Sequence, residues 1–480
     1  MFLRHSAIYL LSRGVPGLVG FATIIIYTRL LSPEVYGQYA LVVSAAVLCN
    51  AIFYHWLSAS LLRFLPQYRN NEDELLITIL SGFIFVSFLI GIMGTLFLMF
   101  WWDTSWVNLI VIGILLVWVQ AWFAINLELV RSRLAPIRYG FISMFKALVA
   151  MGLGVVLVIL DYGVYGALIG LVIGFFLASI WSSWGQWISL KEWRLNKEIT
   201  NKVLIYGLPL TISFALTAVI SITDRFMLAG MISESATGLY TAGQGLSQQT
   251  VGVLMSMVNL AAYPLILKTL ESNGIAAAHV LLRKNAILLF GIGLPIATSF
   301  AILSTNISNV FLGKEFQTAG IELMPWFAIA TLFAGMRSYY FDLAFYLGKN
   351  TRIHMVVMGL AVFLNVLLNL WFIPAYGLLG AVYASVATHS IALVLSAILG
   401  ARFFRLPSVY GDFFRILISA FVMAAVLFFI PYGEGVLRLL LSLTSGSVIY
   451  VICMLALNPG GVREVVVRFI VQGKNALKSI

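Results

Sequence analysis

Apolar residues run along the chain in blocks of about twenty, separated by short polar segments. Within a block, polar and apolar positions do not alternate. The blocks therefore read as membrane-crossing helices and not as the strands of a membrane barrel. They lie near 7–27, 38–58, 76–100, 106–127, 141–160, 163–188, 203–224, 238–262, 285–305, 322–346, 354–373, 377–401, 413–431 and 436–457. The predicted fold class is an all-α integral membrane protein of about fourteen spans.

Composition supports the same solvent. Hydrophobic residues make up 61% of the 480-residue chain and charged residues 10%. Mean hydropathy is +1.01. A soluble domain carries about 25% charged residues, and a water-facing core cannot hide this much apolar surface. In lipid each backbone polar group must be satisfied internally, which helices accomplish. Cys49 and Cys453 both sit in apolar blocks, so neither a disulfide framework nor a metal site is expected. The first block continues to about Tyr27 with no small-residue cleavage site, so no removable leader is expected.

The net charge of +11 resembles a nucleic-acid signal until the basic residues are placed. Fourteen spans put alternate loops on opposite sides. Of the 29 lysines and arginines, 23 then fall with the termini, and only Arg29, Arg225, Lys314 and Arg438 fall opposite. The positive-inside rule puts both termini in the cytoplasm. No nucleic-acid partner is expected, and membrane lipids are. Trp101, Trp102 and Trp106 mark an outer boundary, and Trp184 and Trp187 an inner one. The longest outward loop is expected near 305–321, too short for a catalytic domain, and no G-x-x-x-x-G-K-[ST] phosphate loop occurs. The chain is expected not to be an enzyme and to need no cofactor or metal.

Four motif pairs recur in order. Gly14-Val15-Pro16 matches Gly207-Leu208-Pro209, and Gly37-Gln38-Tyr39 matches Gly238-Leu239-Tyr240. Pro66 matches Pro264, and the pattern Tyr-Gly-x-x-Gly-Ala occurs at 162–167 and 376–381. Each pair relates span n to span n+6, so the repeat is parallel and of a kind found in transporters. The predicted lobes are 1–200 and 201–405, with two further spans and a short cytoplasmic tail in 406–480. Gly14, Pro16, Gly207 and Pro209 are candidate hinges, since paired interruptions point to a binding region. Glycine and proline are also simply common in membrane helices.

These segments carry a resemblance. Leu10-Leu11-Ser12-Arg13-Gly14, the run 28–39 (Thr-Arg-Leu-Leu-Ser-Pro-Glu-Val-Tyr-Gly-Gln-Tyr), 223–230 and 369–377 together look like the polysaccharide transporters, the O-antigen and exopolysaccharide flippases of the multidrug/oligosaccharidyl-lipid/polysaccharide superfamily. The resemblance covers about residues 1–400. It implies a flippase that carries oligosaccharide on undecaprenyl pyrophosphate from the inner to the outer leaflet of a bacterial cytoplasmic membrane. It also implies a V-shaped cavity between two halves that opens alternately. A glycan polymerase and chain-length proteins would be partners in such a system.

Charges inside spans are functional candidates by default. An arginine fork matches phosphate oxygens and stays charged. Arg13 lies about 10 Å into span one, at 1.5 Å per residue. It is a candidate substrate contact or a snorkelling side chain, and it resembles the substrate-contacting cation of lipid-linked precursor flippases. Asp224 and Arg225 close span seven as an outer gate or phosphate contact, or as an interfacial pair of little value. Arg337 and Asp342 read as a site in span ten, or as solvated residues past its early end. Lys146, one turn into span five, reads as a headgroup contact. Glu128 and Arg131 read as a helix-end pair. His55 and His389 read as packing residues or as titrating groups. No buried carboxylate cluster stands out. A peptidoglycan-precursor flippase and a cation-coupled drug exporter of the same superfamily are the competing readings, and a glycan polymerase or ligase is disfavoured by the short loops.

Overall fold

The computed structural model describes residues 2–68, 72–100, 105–133, 135–183, 187, 195–429 and 435–464, the side chains of 2–13 excepted. Arg69, Trp101, Trp102, Trp184, Lys191 and Arg194 lie outside the described residues, as does the tail from 465. Among the described residues there is no strand. The helices are α1 (Phe2–Leu30), α2 (Pro33–Phe53), α3 (His55–Phe64), α4 (Glu72–Phe100), α5 (Val107–Ser132), α6 (Pro136–Leu157), α7 (Gly163–Ser183) and α8 (Lys197–Met231). They continue as α9 (Glu234–Ser247), α10 (Val253–Ile302), α11 (Ser304–Phe311), α12 (Lys314–Met336), α13 (Leu343–Leu347), α14 (Thr351–Tyr376), α15 (Leu378–Gly400), α16 (Tyr410–Phe429) and α17 (Val436–Leu457).

Eleven described stretches are long and apolar enough to cross a membrane. Two of them are double. The stretch 136–182 reverses where Asp161 and Gly163 take φ of 64° and 51°, and α6 then packs along α7. The stretch 234–302 breaks at Gly274, φ 80°, after which Ile266 and Leu282 share one apolar cluster. The shorter apolar helix Gly14–Leu30 completes the expected spans. Large apolar side chains such as Phe85, Phe88, Phe421 and Phe429 face outward. That arrangement suits a lipid solvent and no other. The protein is a multi-pass membrane protein.

Local chemistry explains where helices begin. Ser32 caps α2 by accepting from Val35 N–H at 3.4 Å, with Pro33 preset for the first turn. Asn196 caps α8, accepting from Glu198 N–H at 2.9 Å. Glu72, Asp73 and Glu74 crowd the first turn of α4, where the helix dipole favours anions. The repeat shows in the backbone too. Gly163 and Gly377, matched in the Tyr-Gly-x-x-Gly-Ala motif, both take left-handed φ, 51° and 59°. Only glycine holds that turn without strain.

The chain packs as two compact units. One comprises 1–241 with 358–378. Its core gathers Leu57, Leu61, Leu75, Ile79, Leu116, Ile125 and Leu168, all at most 2% exposed. The other comprises 242–357 with 379–480. There α16 and α17 dock on α10. Buried Asp412 of α16 accepts from Arg283 Nε and Nη2 at 2.9 and 2.7 Å, and from Gly460 N–H at 2.9 Å. Tyr450 of α17 donates to Gly291 O at 2.9 Å. The segment expected as the longest outward loop, 305–321, is helical instead. It comprises α11 and the start of α12, which meet at Leu312 and Gly313.

Candidate functional site

Besides Asp412, two buried carboxylates, one in each unit, gather polar side chains around them. The first is Asp224, two turns before the end of α8 and 2% exposed. It accepts from Tyr240 Oη at 2.5 Å, from Asn365 Nδ2 at 3.0 Å and from Asn369 Nδ2 at 2.7 Å. The asparagines sit four apart on α14 and so share a face. The neighbouring Arg225 donates from Nη1 to Ser44 Oγ of α2 at 2.8 Å, and its backbone oxygen accepts from Thr237 Oγ1 at 3.2 Å. A buried charge persists only where donors replace water, and here they come from α9 and α14. Asp224 and Arg225 are therefore not an exposed interfacial pair. The Oδ1 atoms of Asn365 and Asn369 are buried with no hydrogen-bond partner among the described residues. Rotating both amides would set two oxygens beside the carboxylate, the kind of ligand a hard cation takes. Among the described residues no group of three or more His, Cys, Asp or Glu could hold a metal.

This cluster yields a prediction. Asp224→Ala leaves three buried donors without their acceptor, at about 1–3 kcal/mol each before relaxation. Asp224→Asn keeps a carbonyl oxygen for the asparagines. The alanine variant is expected to melt well below wild type in a nanodisc thermal scan, and the asparagine variant near it. Equal melting of Asp224→Ala and wild type would refute the clamp.

The second carboxylate is Asp342. A π turn over Arg337–Phe341 carries α12 into α13 without a break. Span ten thus does not end early. Arg337 and Asp342 are 5% and 3% exposed, not solvated as their polarity in an apolar span suggests. Arg337 Nε lies 3.5 Å from Asp342 Oδ2, and His354 Nε2 lies 3.3 Å from the same oxygen. Ser396 donates to Asp342 Oδ1 at 2.7 Å. The extra residue of a π turn re-aims side chains, which lets residues five apart pair. No sequence signal marked it.

The other candidates are placed as follows. Arg13 lies on α1, and its side chain is outside the described residues. Gly14 and Pro16 lie within α1, and Gly207 and Pro209 within α8, both continuous helices. Helix breaks fall in spans two and eight. Tyr54 (φ −124°, ψ −25°) separates α2 from α3, and a π turn over Gln248–Gly252 separates α9 from α10. These two breaks occupy matching positions of the repeat, and no glycine–proline pair announced them. Lys146 sits ten residues into α6, which begins at Pro136, and its Nζ rests 4.5 Å over the Phe175 ring. It is deeper than one turn because α6 starts before the apolar block does. Glu128 and Arg131 pair at 3.2 Å as expected. His55 stacks on Phe214 at 4.0 Å between centroids.

The repeat also meets itself. Gly37 and Gly238, the matched glycines of the Gly-x-Tyr motif, pack against each other where α2 crosses α9. A Cβ on Gly37 would lie 1.9 Å from Glu234 O, and one on Gly238 would lie 1.9 Å from Pro33 O. Gln38 Nε2 donates to Glu234 Oε2 at 2.7 Å, and Trp106 Nε1 to Glu234 Oε1 at 3.0 Å.

Solved structures with this fold are membrane transporters. A lipid II flippase, MurJ, in an inward closed conformation is similar with a TM-score of 0.77 at 15% identity, covering 95% of this chain and 98% of that one. An inward-facing multidrug resistance MATE family transporter of the MOP superfamily gives 0.56 at 14% identity, over 83% and 94%. A MOP superfamily transporter from Pyrococcus furiosus gives 0.59 at 13% identity, over 84% and 94%. At such identities the likeness is one of fold alone. The family model described as polysaccharide biosynthesis protein matches residues 2–270, more than half of the chain. The chain belongs to that family. Among curated proteins none matches it.

Proposed function

We propose that the protein is a flippase that moves undecaprenyl-pyrophosphate-linked oligosaccharide from the inner to the outer leaflet of a bacterial cytoplasmic membrane, for polysaccharide biosynthesis, by alternating access. One observation carries the reading. A chain of the polysaccharide biosynthesis family has a fold similar, over almost its whole length, to that of a lipid II flippase. In this reading 1–200 and 201–405 are the two parallel halves, 406–480 is an appended pair with a short tail, and both termini are cytoplasmic. Arg13 is the inner phosphate contact. Asp224 holds the outer end of span seven, and Arg225 offers its guanidinium to phosphate there. Arg337 is a further phosphate contact once its pairing with Asp342 loosens. Gly14, Pro16, Gly207 and Pro209 let spans one and seven flex. The cargo passes to a glycan polymerase and chain-length proteins.

A second reading, a peptidoglycan lipid-precursor flippase, is favoured by the likeness of fold to a lipid II flippase, with a TM-score of 0.77. Against it, the basic residues after span two are only Arg63 and Arg69. A cation-coupled exporter is less well supported, because the MATE structure reaches only 0.56.

Deleting the gene is expected to trap lipid-linked oligosaccharide on the inner leaflet. Normal glycan export after deletion would sink the reading. Arg13→Ala is expected to impair export at normal protein levels. If it does not, the role of Arg13 falls and the transporter reading stands.

A further inference from the structure

A close seam joins the end of α3 to the start of α8. A Cβ on Gly207 would lie 2.8 Å from Trp56 Cε3 and 2.9 Å from Ser60 Oγ, so a side chain there would push α3 away. Ser60 Oγ donates to Val203 O at 3.4 Å. The approach sets two cations against two tyrosines, one of each from either side. The Arg63 guanidinium stands 4.7 Å over the Tyr206 ring. Reciprocally, Lys202 Nζ donates to Tyr68 Oη, just past α3, at 3.2 Å. Phe64 meets Tyr206 edge-on at 5.4 Å and closes the apolar side.

The two cations are not equivalent. Lys202 also binds Glu198 at 2.6 Å. Arg63 is exposed and has no carboxylate partner among the described residues. A guanidinium laid over a ring uses its face and leaves its edge donors free. That edge is a fork that fits two oxygens of one phosphate. Tyr206 beneath it and Tyr68 on the same seam are half-buried, and their flat apolar faces and hydroxyls suit a sugar ring. Structural packing alone would explain Tyr206, but it does not explain a guanidinium held over it with no carboxylate partner among the described residues.

We propose that Arg63, with Tyr206 and Tyr68, forms a docking site for a pyrophosphate and its adjoining sugar, the first contact of a lipid-linked cargo; this rests on the flippase reading above. The site lies where span two ends and span seven begins, the cytoplasmic side on the proposed topology and the side where such a cargo starts. A phospholipid headgroup presents the same phosphate chemistry, and the test separates the two sources.

The full-length protein is placed in phosphatidylcholine nanodiscs and titrated with farnesyl pyrophosphate by thermophoresis. Arg63→Gln is expected to weaken binding about tenfold, the loss of one charge-assisted fork. Arg63→Lys is expected to fall between, because lysine is a point charge. Tyr206→Leu is expected to weaken binding as well. A headgroup site gives a different result: Arg63→Gln leaves farnesyl pyrophosphate affinity unchanged and lowers only the melting temperature gained on adding phosphatidylglycerol. That result overturns the proposal. Binding unaffected by any of the three variants, each melting like wild type, overturns the site and leaves the flippase reading standing. No binding by the wild type overturns both.

Discussion

Asp342→Ala is expected to cost about 3–5 kcal/mol, the usual penalty for stripping the partner from a buried charge. Arg337 would remain 5% exposed with no carboxylate beside it. Ser396 would lose its acceptor, and His354 the carboxylate 3.3 Å from its Nε2. The pair sits at a π turn and both residues are buried, so water does not readily replace the lost partner. The measurement is a thermal scan of the purified variant in nanodiscs, with intrinsic fluorescence as the signal. A double variant, Arg337→Met with Asp342→Leu, removes both charges and keeps volume. It is expected to recover most of the loss, because a buried ion pair and a well-packed apolar pair are often near equal in stability. If Asp342→Ala melts with wild type, the pair contributes nothing. If the double variant melts as low as the single one, the cost comes from packing and not from charge.

Gly37→Val is expected to abolish the α2–α9 crossing and reduce transport at least about tenfold. Small residues at membrane helix crossings let backbones touch. Here the backbones are so close that even a methyl at Gly37 would fall 1.9 Å from Glu234 O. Overpacking of this kind costs about 1–3 kcal/mol when neighbours can move and more when the obstacle is backbone. Gly238→Val is expected to act alike, since its obstacle is Pro33 O. On the proposed topology the crossing lies toward the outer end, and it is expected to act as a gate there. A wedge there holds that end open and starves the inner side of turnover. Cysteines at Gln38 and Glu234, whose side chains meet at 2.7 Å, report closure by cross-linking. Gly37→Val should eliminate the cross-link while the protein still elutes as a folded species. Wild-type cross-linking and wild-type transport in Gly37→Val would show that the crossing does not gate.

The two predictions draw on different kinds of sequence signal. Gly37 and Gly238 were legible as a repeated Gly-x-Tyr motif, but nothing in the motif said that the two copies touch. Asp224 and Arg225 were legible as charges at the end of a span. Their burial was not, because the asparagines that satisfy Asp224 come from a helix some 140 residues away. Arg337 and Asp342 read as solvated because an isolated helix has no way to neutralise them. Gly207 reads as a hinge, and nothing in its own segment shows that Trp56 and Ser60 of α3 pack against it.

The sequence by itself determined the solvent, the helical class, the approximate spans and the six-span offset of the repeat, and it carries the expectation about sidedness. All of these depend on properties summed along one chain segment, namely apolar length, charge between segments and recurrence of motifs. Only the tertiary structure decided which polar groups are buried and where the helices break. It also decided which repeated glycines meet and that Arg63 stands over Tyr206. A buried charge is tolerated or not according to the donors that other helices bring within about 3 Å of it. That distance is a property of packing, and no single segment of the sequence contains it.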